Sequence, residues 1–294
     1  MSTRVVALGE IIWDVFPGSV RLGGAPLNYA VHASRLGYEV VLVSAVGKDE
    51  LGQRAAREIS SLGLNTSMIE VSSHLDTGTA SVHLGPGGEP TFAIRRPAAY
   101  DDVNLSDGQL AWLAAWAPSS VYFGTLFAFT GQGRTTLLRL LASIPNACRF
   151  YDVNLRPGCD SPALVSELLT HADVVKLNET ELDAVHRVAG LPENAEAFCR
   201  AGADRYGWKA ACITLGARGC CMLARGEYVE VGGYPVEVAD PVGAGDAFAA
   251  ALMHGLRCGW PARKIATFAN RLGALVASRP GAIPDWSLAE TLEI

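Results

Sequence analysis

The sequence predicts an α/β fold in which helices cover both faces of a mostly parallel sheet. Short apolar runs, many of them rich in β-branched residues, alternate along the chain with longer stretches of helical periodicity. That alternation is typical of consecutive βα units, whose strands lie parallel and are buried on both faces. Hydrophobic residues make up 49% of the 294 positions and charged residues 18%, which suits one large core. We therefore expect residues 1–294 to form a single domain.

The predicted elements follow one another in a regular order. Buried strands are expected at residues 5–8, 40–46, 121–123, 149–153, 174–177 and 211–215. Helices are expected between them, at residues 27–36, 51–62, 131–143, 163–171, 179–188 and 195–206. An antiparallel pair, 219–223 and 228–231, then turns near Arg225-Gly226. Two helices, 244–258 and 262–278, end the pattern, and Pro261 suits the start of the second.

One region departs from the alternation of strand and helix. Residues 77–84 and 91–96 alternate in polarity around Gly85-Pro86-Gly87-Gly88, which predicts a hairpin. Residues 11–20 form a further extended segment that leads to Gly23-Gly24. We expect these strands, within about residues 11–22 and 76–97, to form a small sheet. Such a sheet would be a lid over the carboxyl ends of the main strands, where open α/β sheets bind ligands.

Composition excludes several classes of protein. The net charge is −6 and the basic residues are scattered, so we expect no nucleic-acid partner. The seven cysteines form no Cys-x-x-Cys pair, which indicates reduced thiols and neither a disulfide framework nor a zinc site. The first apolar run is too short for a signal peptide, and no run approaches the roughly 20 residues of a membrane helix. We expect a cytoplasmic protein without a membrane partner.

The most informative motif is the run Asp240-Pro241-Val242-Gly243-Ala244-Gly245-Asp246, which opens a long apolar helix. Small residues let backbone N–H groups approach a ligand, and a helix N-terminus adds unpaired donors and a favourable dipole for an anion. Asp246 lies in the first turn, where an acidic residue also favours the helix dipole without any catalytic role. Alternatively it is a base that deprotonates an attacking hydroxyl. The run alone leaves both interpretations open.

A second glycine motif lies near the N-terminus. Gly23-Gly24 leads into a helix with Pro26 near its start and Asn28 in its first turn. The Asn28 amide offers both donors and an acceptor to a polyhydroxyl ligand. By itself this is also compatible with an ordinary glycine turn. The glycine fingerprint of dinucleotide-binding folds is missing after the first strand, where the sequence is Leu8-Gly9-Glu10-Ile11.

Together, the two segments resemble both signature patterns of the ribokinase-like (PfkB-type) carbohydrate kinase family. The first match covers residues 23–47 and the second residues 240–253, in the order and with the separation of the family, and the likeness extends over essentially the whole chain. The resemblance implies a three-layer α/β/α ribokinase-like fold with a small β-sheet lid. It also implies a single kinase domain that transfers the γ-phosphoryl group of ATP to a sugar hydroxyl.

The resemblance implies a role for individual positions. Asp246 resembles the catalytic base, and the phosphoryl group would be bound by the anion hole of Gly243, Ala244 and Gly245. The sugar-binding positions match Asp14, Gly23, Gly24 and Asn28. The nucleotide-binding positions match Asn178, Thr214, Gly216, Gly219 and Asn270.

Metal ions are implied in the same way. Glu181, in the element Asn178-Glu179-Thr180-Glu181, resembles a residue that organises Mg²⁺ through water, in keeping with the preference of Mg²⁺ for oxygen ligands and retained waters. Family members often bind a monovalent cation, usually K⁺, beside the anion hole. The matching positions, mostly through backbone carbonyls, are Asp240, Val242, Val276, Arg279, Gly281 and Asp285.

The run Asp152-Val153-Asn154-Leu155-Arg156-Pro157 narrows the acceptor. It resembles fructokinases and 2-keto-3-deoxygluconate kinases more than ribokinases or adenosine kinases. Arg156 would point at the phosphates, since its guanidinium matches phosphate oxygens. The sequence departs from the pattern of those two groups of kinases at two places. Cys159-Asp160 stands where they usually have Leu-Trp, and Pro241-Val242 stands where a pair of Thr residues is commoner. These departures affect the choice of sugar more than the reaction.

Fructose is the acceptor that we expect first. Arg95, Arg96 and Tyr100 follow the lid and would suit a carboxylate, which keeps 2-keto-3-deoxygluconate open, and Thr125 could line the sugar pocket. A nucleoside kinase, or a sugar-binding regulatory module without catalysis, are alternatives on the same fold. An exposed small sheet has edges and an apolar face to cover, so we expect a homodimer through the lid.

Overall fold

Strands and helices alternate along the chain in the computed structural model, which describes residues 3–84 and 90–293. The strands are β1 Arg4–Leu8, β2 Ile12–Phe16, β3 Ser19–Gly23, β4 Glu39–Gly47, β5 Ile69–Ser72, β6 Gly78–Leu84, β7 Pro90–Ile94, β8 Ser120–Gly124, β9 Cys148–Asp152, β10 Val174–Asn178, β11 Ala210–Thr214, β12 Cys220–Ala224 and β13 Glu227–Val231. The helices are α1 Ala25–Arg35, α2 Glu50–Ser61, α3 Asp107–Trp116, α4 Thr125–Ala128, α5 Gly131–Ser143, α6 Pro162–His171, α7 Glu179–Ala189, α8 Ala195–Tyr206, α9 Ala244–Arg257 and α10 Ala262–Ala277.

The main sheet confirms the predicted α/β class. Within the described residues its strand order is β13-β12-β11-β10-β9-β8-β1-β4-β5. The strands from β11 to β5 run parallel, while β12 and β13 are antiparallel at one edge. The turn between β12 and β13 is made by Arg225 and Gly226, at φ 54° and 78°, as two-residue hairpins require. All carboxyl ends of the parallel strands therefore open on one edge of the sheet.

Side chains on alternate positions of each strand enter two separate cores. On β1, Val5 and Ala7 pack with the helices of one face, and Val6 and Leu8 with those of the other. The first face is covered by α1, α2, α9 and α10. The second is covered by α3, α5, α6, α7 and α8. This is the expected three-layer arrangement, and it buries the central strands on both sides.

A smaller sheet of order β3-β2-β6-β7 lies apart from the main one in the described part of the chain, as expected for the lid. The extended segment expected at 11–20 is in fact a hairpin, since Pro17 and Gly18, at φ 86°, reverse the chain between β2 and β3. The predicted turn at Gly85-Pro86-Gly87-Gly88 lies outside the described residues. Trp13 ties the lid to the body, because its indole N–H donates to the Leu51 carbonyl at 3.1 Å.

Three elements were not predicted from the sequence, and one of them is the four-residue helix α4, Thr125–Ala128. Helix α3 begins at a capping box of Ser106 and Gln109, but it is apolar on most of its circumference and contains Gly108, which hides the helical period. Strand β5 is a four-residue edge strand beside β4. Helix α10 begins one residue after Pro261, which is its N-cap. No helix within residues 3–84 and 90–293 has the length and apolar character to cross a membrane.

Candidate active site

A cleft of about 320 Å³ opens between the carboxyl ends of the main strands and the inner side of the small sheet. We call it the lid cleft. Its walls include Asp14, Asn28, Arg156 and Asp246, which come from four separate parts of the chain. A second pocket of about 590 Å³ lies beside α10, and we call it the helix pocket. Both cavities share Thr214, Pro241 and Gly245, so the two meet at the glycine loop before α9.

The glycine loop has a backbone that only glycine adopts easily. Gly243, the N-cap of α9, has φ 83°, and a Cβ there would lie 2.2 Å from the carbonyl oxygen of Ala282. Ala244 and Gly245 form the first turn of a helix of 14 residues. The first-turn amides of a helix have no acceptor from the helix ladder, and they form the positive end of the helix dipole. The predicted anion hole therefore has the geometry to bind a phosphoryl group.

Asp246 faces the lid cleft from the first turn of α9. Its Oδ2 accepts a hydrogen bond from Asn28 Nδ2 at 2.8 Å, although 218 residues separate the two in sequence. Burial raises the pKa of Asp246 from 3.8 to about 7, and the negative charge of Asp152 acts in the same direction. The Asn28 hydrogen bond and the positive charges of Lys176 and Arg156 oppose the rise. A carboxyl that titrates near neutral pH is suited to general-base catalysis.

Asn28 is held in place by the glycine turn before α1. Gly24 has φ 113°, and a Cβ there would lie 2.4 Å from the Glu10 carbonyl oxygen, so α1 starts directly against the end of β1. Asn28 lies in the cleft wall and is 4% exposed. Its Oδ1 is buried without a hydrogen-bond partner among the described residues. A buried acceptor of this kind is costly unless a ligand hydroxyl donates to it.

Asp14 faces the same cleft from β2. Burial raises the pKa of Asp14 to about 6, the charge of Asp240 adds to the rise, and the charges of Arg156 and Arg21 oppose it. Gly23 lies beside it in the hairpin, where a Cβ would come within 3.2 Å of Asp14 Oδ2. The absence of a side chain at Gly23 therefore leaves room for the carboxylate.

Sequence reasoning did not assign a role to Glu10. It follows β1, is 5% exposed and lines the lid cleft. Burial raises the pKa of Glu10 to about 7, while its own amide, Arg156 and the amide of Ala25 oppose the rise and Asp246 adds to it. The sequence did contain a signal for Glu10, because a residue directly after a central strand lies at the edge of the sheet where open α/β sheets bind ligands.

Lys176 and Asp152 form a buried ion pair beneath the cleft. Lys176 Nζ lies 2.9 and 3.0 Å from the two carboxylate oxygens of Asp152. The sequence signal for this pair was a lysine inside the apolar run of β10, since an isolated charge in a buried strand is strongly unfavourable. Its partner could not be read from the sequence.

Three of the predicted sugar-binding residues are not part of the cleft wall: Thr125, Arg95 and Gly23, the last of which lies beside Asp14. Thr125 is fully buried and its hydroxyl donates to the Val153 carbonyl at 2.5 Å, so it is not part of the cleft wall. Arg95 has a side chain that is 71% exposed and pairs with Asp76 at 3.3 Å, outside the cleft. Arg156 does reach the cleft wall.

The predicted nucleotide-binding residues gather around the helix pocket. Thr214, Gly216, Gly219 and Asn270 all line it. Asn270 Nδ2 donates to the carbonyls of Val231 and Gly232 at 3.2 Å each, which fixes α10 against the end of β13. Asn178 instead faces the lid cleft.

The Mg²⁺ prediction rests on Glu181, whose carboxylate is already engaged. Its two oxygens accept hydrogen bonds from the amides of Leu155 and Asn178 at 2.8 Å, and the residue is 6% exposed. No group of three or more His, Cys, Asp or Glu side chains in the described ranges could hold a metal ion. This set of donors fits Mg²⁺ only where phosphate oxygens and waters supply most ligands, which is how Mg²⁺ commonly binds.

The predicted positions for a monovalent cation meet where the glycine loop approaches the segment after α10. Asp240 Oδ2 pairs with Arg21 at 2.6 Å and accepts the Gly281 amide at 3.1 Å, and its Oδ1 accepts the Val242 amide at 3.0 Å. The carbonyl of Val276 accepts the Arg279 amide at 3.1 Å, and the Arg279 guanidinium contacts the carbonyl of Asp285. Donors of the chain therefore engage the Asp240 carboxylate and the carbonyls of Val276 and Asp285.

Comparison with known proteins gives the family. The model of the pfkB family of carbohydrate kinases matches residues 6–288. The chain belongs to this family. Among curated pfkB-type relatives, a fructokinase of Escherichia coli is 30% identical over 100% of this chain and 99% of its own length. An uncharacterized sugar kinase of Pyrococcus horikoshii is 31% identical over 96% of this chain and 92% of its own length.

Solved structures of pfkB-type kinases share the fold. The Pyrococcus horikoshii sugar kinase in complex with ATP gives a TM-score of 0.84 at 28% identity, over 99% of this chain and 97% of that one. Fructokinase of Xylella fastidiosa with bound ATP gives 0.86 at 24%, over 100% and 98%. The 2-dehydro-3-deoxygluconokinase of Thermotoga maritima gives 0.87 at 21%, over 99% and 98%. The ribokinase-like fold expected from the sequence is confirmed.

Proposed function

We propose that this carbohydrate kinase transfers the γ-phosphoryl group of ATP to a neutral ketohexose, with fructose as the first candidate. Curated relatives named fructokinase, at about 30% identity over the whole chain, support that choice. The observation that carries it is the set of acceptors in the lid cleft. Glu10, Asp14 and Asp246 all line the cleft, together with the unpaired Oδ1 of Asn28. These groups match the hydroxyl donors of a polyol.

The charge of the cleft favours a neutral sugar over a keto-acid. Three carboxyl groups would repel a substrate carboxylate, and the charge of Lys176 is paired with Asp152. Arg156, the other cation of the cleft wall, is assigned to the phosphoryl group in this proposal. Arg95 and Arg96, the side chains that would suit such a carboxylate, pair with Asp76 and Asp101. The likeness to 2-dehydro-3-deoxygluconokinase, at 21% identity, concerns the fold alone.

The reaction follows from where the two cavities meet. The acceptor would occupy the lid cleft and ATP the helix pocket, so that the γ-phosphoryl group lies at Gly245, next to Asp246. Asp246 would take the proton of the attacking hydroxyl, with its orientation fixed by Asn28. The amides of the glycine loop, the dipole of α9 and Arg156 would offset charge on the phosphoryl group.

Other groups would complete this site. Mg²⁺, when bound with the nucleotide phosphates, would neutralise part of their charge, and Glu181 would reach it through water. The small sheet would exclude water, which competes with the sugar as acceptor. We also propose that residues 1–294 act as one domain in the cytoplasm and that two copies pair through the lid.

An acceptor screen tests the proposal. ADP release is measured with fructose, 2-keto-3-deoxygluconate, ribose, tagatose phosphate and adenosine, each with Mg²⁺ and with or without K⁺. We expect kcat/KM for fructose to exceed that for the keto-acid by at least about tenfold, or 1.4 kcal/mol. A preference for the keto-acid would refute the argument from charge. Sugar binding without ADP release from any acceptor would support the non-catalytic alternative.

A further inference from the structure

A third cavity, of about 640 Å³, lies at the edge of the main sheet opposite the lid cleft, and we call it the edge pocket. Four neighbouring parallel strands, β8 to β11, begin at its floor, and the residues there are Ser119, Cys148, Val174 and Lys209. The end of α9, at residues 256–259, forms another wall. Asp246 lies at the opposite end of α9, and a helix of 14 residues is about 21 Å long, so the edge pocket is separate from the reacting centre.

The wall of the edge pocket is basic. Lys209, Arg225 and Arg257 line it, and none of the described residues in this wall is acidic. Asp173 pairs with Lys209 at 2.8 Å and offsets one of the three charges. The negative end of the α9 dipole is equivalent to about half a charge and offsets a further part. The three basic side chains, Asp173 and the helix end together therefore have a net positive charge between about one and two.

Two of these charges meet at the pocket floor, although one comes from the sheet and the other from α9. Both act on Cys148, where burial and the charge of Asp173 raise the pKa of the thiol to about 11 and the charges of Lys209 and Arg257 oppose the rise. Like charges that approach one place from different elements repel each other. An anion bound between them would remove that repulsion.

Arg225 adds a third cation from the turn between β12 and β13. Its Nη2 donates to the Leu256 carbonyl at 3.5 Å, and a Cβ on Gly259 would lie 3.4 Å from the same nitrogen, so the guanidinium lies against the end of α9. The contact with Leu256 is the only hydrogen bond that the described residues offer a group with five N–H donors. Arg225 therefore has donors left for a ligand in the pocket.

The rest of the wall limits the kind of anion. Val174, Met253 and Leu256 are apolar, and Asn146 adds a polar amide. An inorganic ion would leave the apolar surface in contact with water and most of the volume unfilled. A pocket of this size, with an apolar lining and a few polar groups, is typical of a small-molecule site. A phosphate ester carries about 1.5 to 2 negative charges at neutral pH, which matches the charge of the basic set.

We propose that the edge pocket binds a phosphomonoester with a small organic body, whose phosphate is held by Lys209, Arg225 and Arg257. The organic body contacts Val174 and Leu256. The site goes beyond the proposed phosphoryl transfer and takes no part in it. A sugar phosphate and a nucleoside monophosphate share this chemistry, and a titration with each of them separates the two sources.

The test variant is Lys209→Gln/Arg225→Gln. Both side chains are exposed, so the substitutions remove two cations from the pocket and leave the core unchanged. The matched control is Arg57→Gln/Arg187→Gln, at exposed positions of α2 and α7 outside the three cavities, which changes the net charge by the same amount. Circular dichroism and thermal unfolding establish that both variants are folded.

Calorimetry on the intact chain measures binding at the edge pocket. The protein is first saturated with Mg²⁺, a non-hydrolysable ATP analogue and fructose, so that the helix pocket and the lid cleft are occupied. Fructose 6-phosphate, AMP, inorganic phosphate or succinate is then titrated into it. We expect at least one of the two esters to bind the wild type with a stoichiometry of one, at least about tenfold tighter than inorganic phosphate, because its body covers apolar surface. The tighter ester identifies the source.

The variants assign that binding to the pocket. We expect the affinity for the ester to fall at least about tenfold in Lys209→Gln/Arg225→Gln, since two charge-assisted contacts are lost, and to stay within about twofold in the control. Three results overturn the inference: no saturable binding of either ester, inorganic phosphate or succinate bound as tightly as both esters, or an unchanged affinity in the folded test variant.

Hydrogen exchange locates the ester independently of affinity. In the wild type it should slow the exchange of backbone amides at residues 253–259 and at Arg225-Gly226, which border the pocket. This protection should be lost in the charge reversal Arg225→Glu. Protection confined to the glycine loop at the other end of α9 would place the ester in the active site and overturn the inference.

The edge pocket and the proposed function can fail separately. If the wild type phosphorylates no fructose but the ester protects residues 253–259, the proposed acceptor is wrong and the edge pocket stands. If fructose is phosphorylated and neither ester binds the loaded protein, only the edge pocket is wrong.

Discussion

Replacing the proposed base should stabilise the folded chain while it removes activity. The ionised carboxylate of Asp246 is unfavourable in the folded state, where burial raises its pKa from 3.8 to about 7. Since one pKa unit corresponds to about 1.4 kcal/mol, the ionised form costs the folded state about 4 kcal/mol above pH 7. Water in the cleft screens part of this cost. We expect Asp246→Asn to raise the free energy of unfolding by about 2 to 4 kcal/mol at pH 8.

The increase in the free energy of unfolding on Asp246→Asn must depend on pH in a defined direction. The folded state holds the proton of Asp246 more tightly than the unfolded state, so this residue destabilises the fold progressively as the pH rises from 3.8 to about 7. The gain from Asp246→Asn should therefore be smaller at pH 5, about 1 to 1.5 kcal/mol. Urea unfolding at both values measures it. Asp204→Asn, on an exposed part of α8, is the control and should change neither value. Equal gains at pH 5 and pH 8 would refute the reasoning.

Three further predictions concern the reaction itself. The acid limb of kcat/KM should lie near pH 7, with activity lost below it, because burial raises the pKa of Asp246 to about 7 and the base must be ionised; a limb below pH 5 in a rate profile would contradict this. Gly243→Ala should lower kcat about 100-fold, because its Cβ would lie 2.2 Å from the Ala282 carbonyl oxygen, whereas Gly37→Ala, at a similar φ of 87° but with open space, should keep kcat. Asn28→Ala should move the acid limb to higher pH, because its hydrogen bond lowers the pKa of Asp246, and an unmoved limb would exclude this coupling.

The fold was predictable because its signals are local. The central strands β1, β4, β8 and β11 are short, mostly apolar runs. The exceptions are also local in origin. Helix α3 lacks a polar face that would reveal its period, and Pro17-Gly18 divides one extended segment into two strands.

Residues of the site could be predicted only at positions that match the sequence motifs of the family. The meeting of Asn28 with Asp246 across 218 residues follows from the resemblance and not from either motif alone. Side-chain direction was not predictable. Thr125 follows β8 directly, yet its hydroxyl points to the Val153 carbonyl.

Pairing of charges was equally hidden in the sequence. Lys176 looks misplaced inside an apolar run, and only the register of β9 beside β10, where Lys176 lies opposite Asp152, shows how its charge is compensated. Glu10 gains its raised pKa from burial, which depends on elements distant in sequence.

The central claim is that Asp246 is the base of a fructose-dependent phosphoryl transfer. The most direct measurement is ADP formation by the wild type and Asp246→Asn, with and without fructose, at pH 8, together with identification of the phosphorylated sugar. The account predicts fructose-dependent ADP release by the wild type and a kcat lower by at least about 100-fold in the variant, with the fold intact. Near-normal turnover by the folded variant would contradict it.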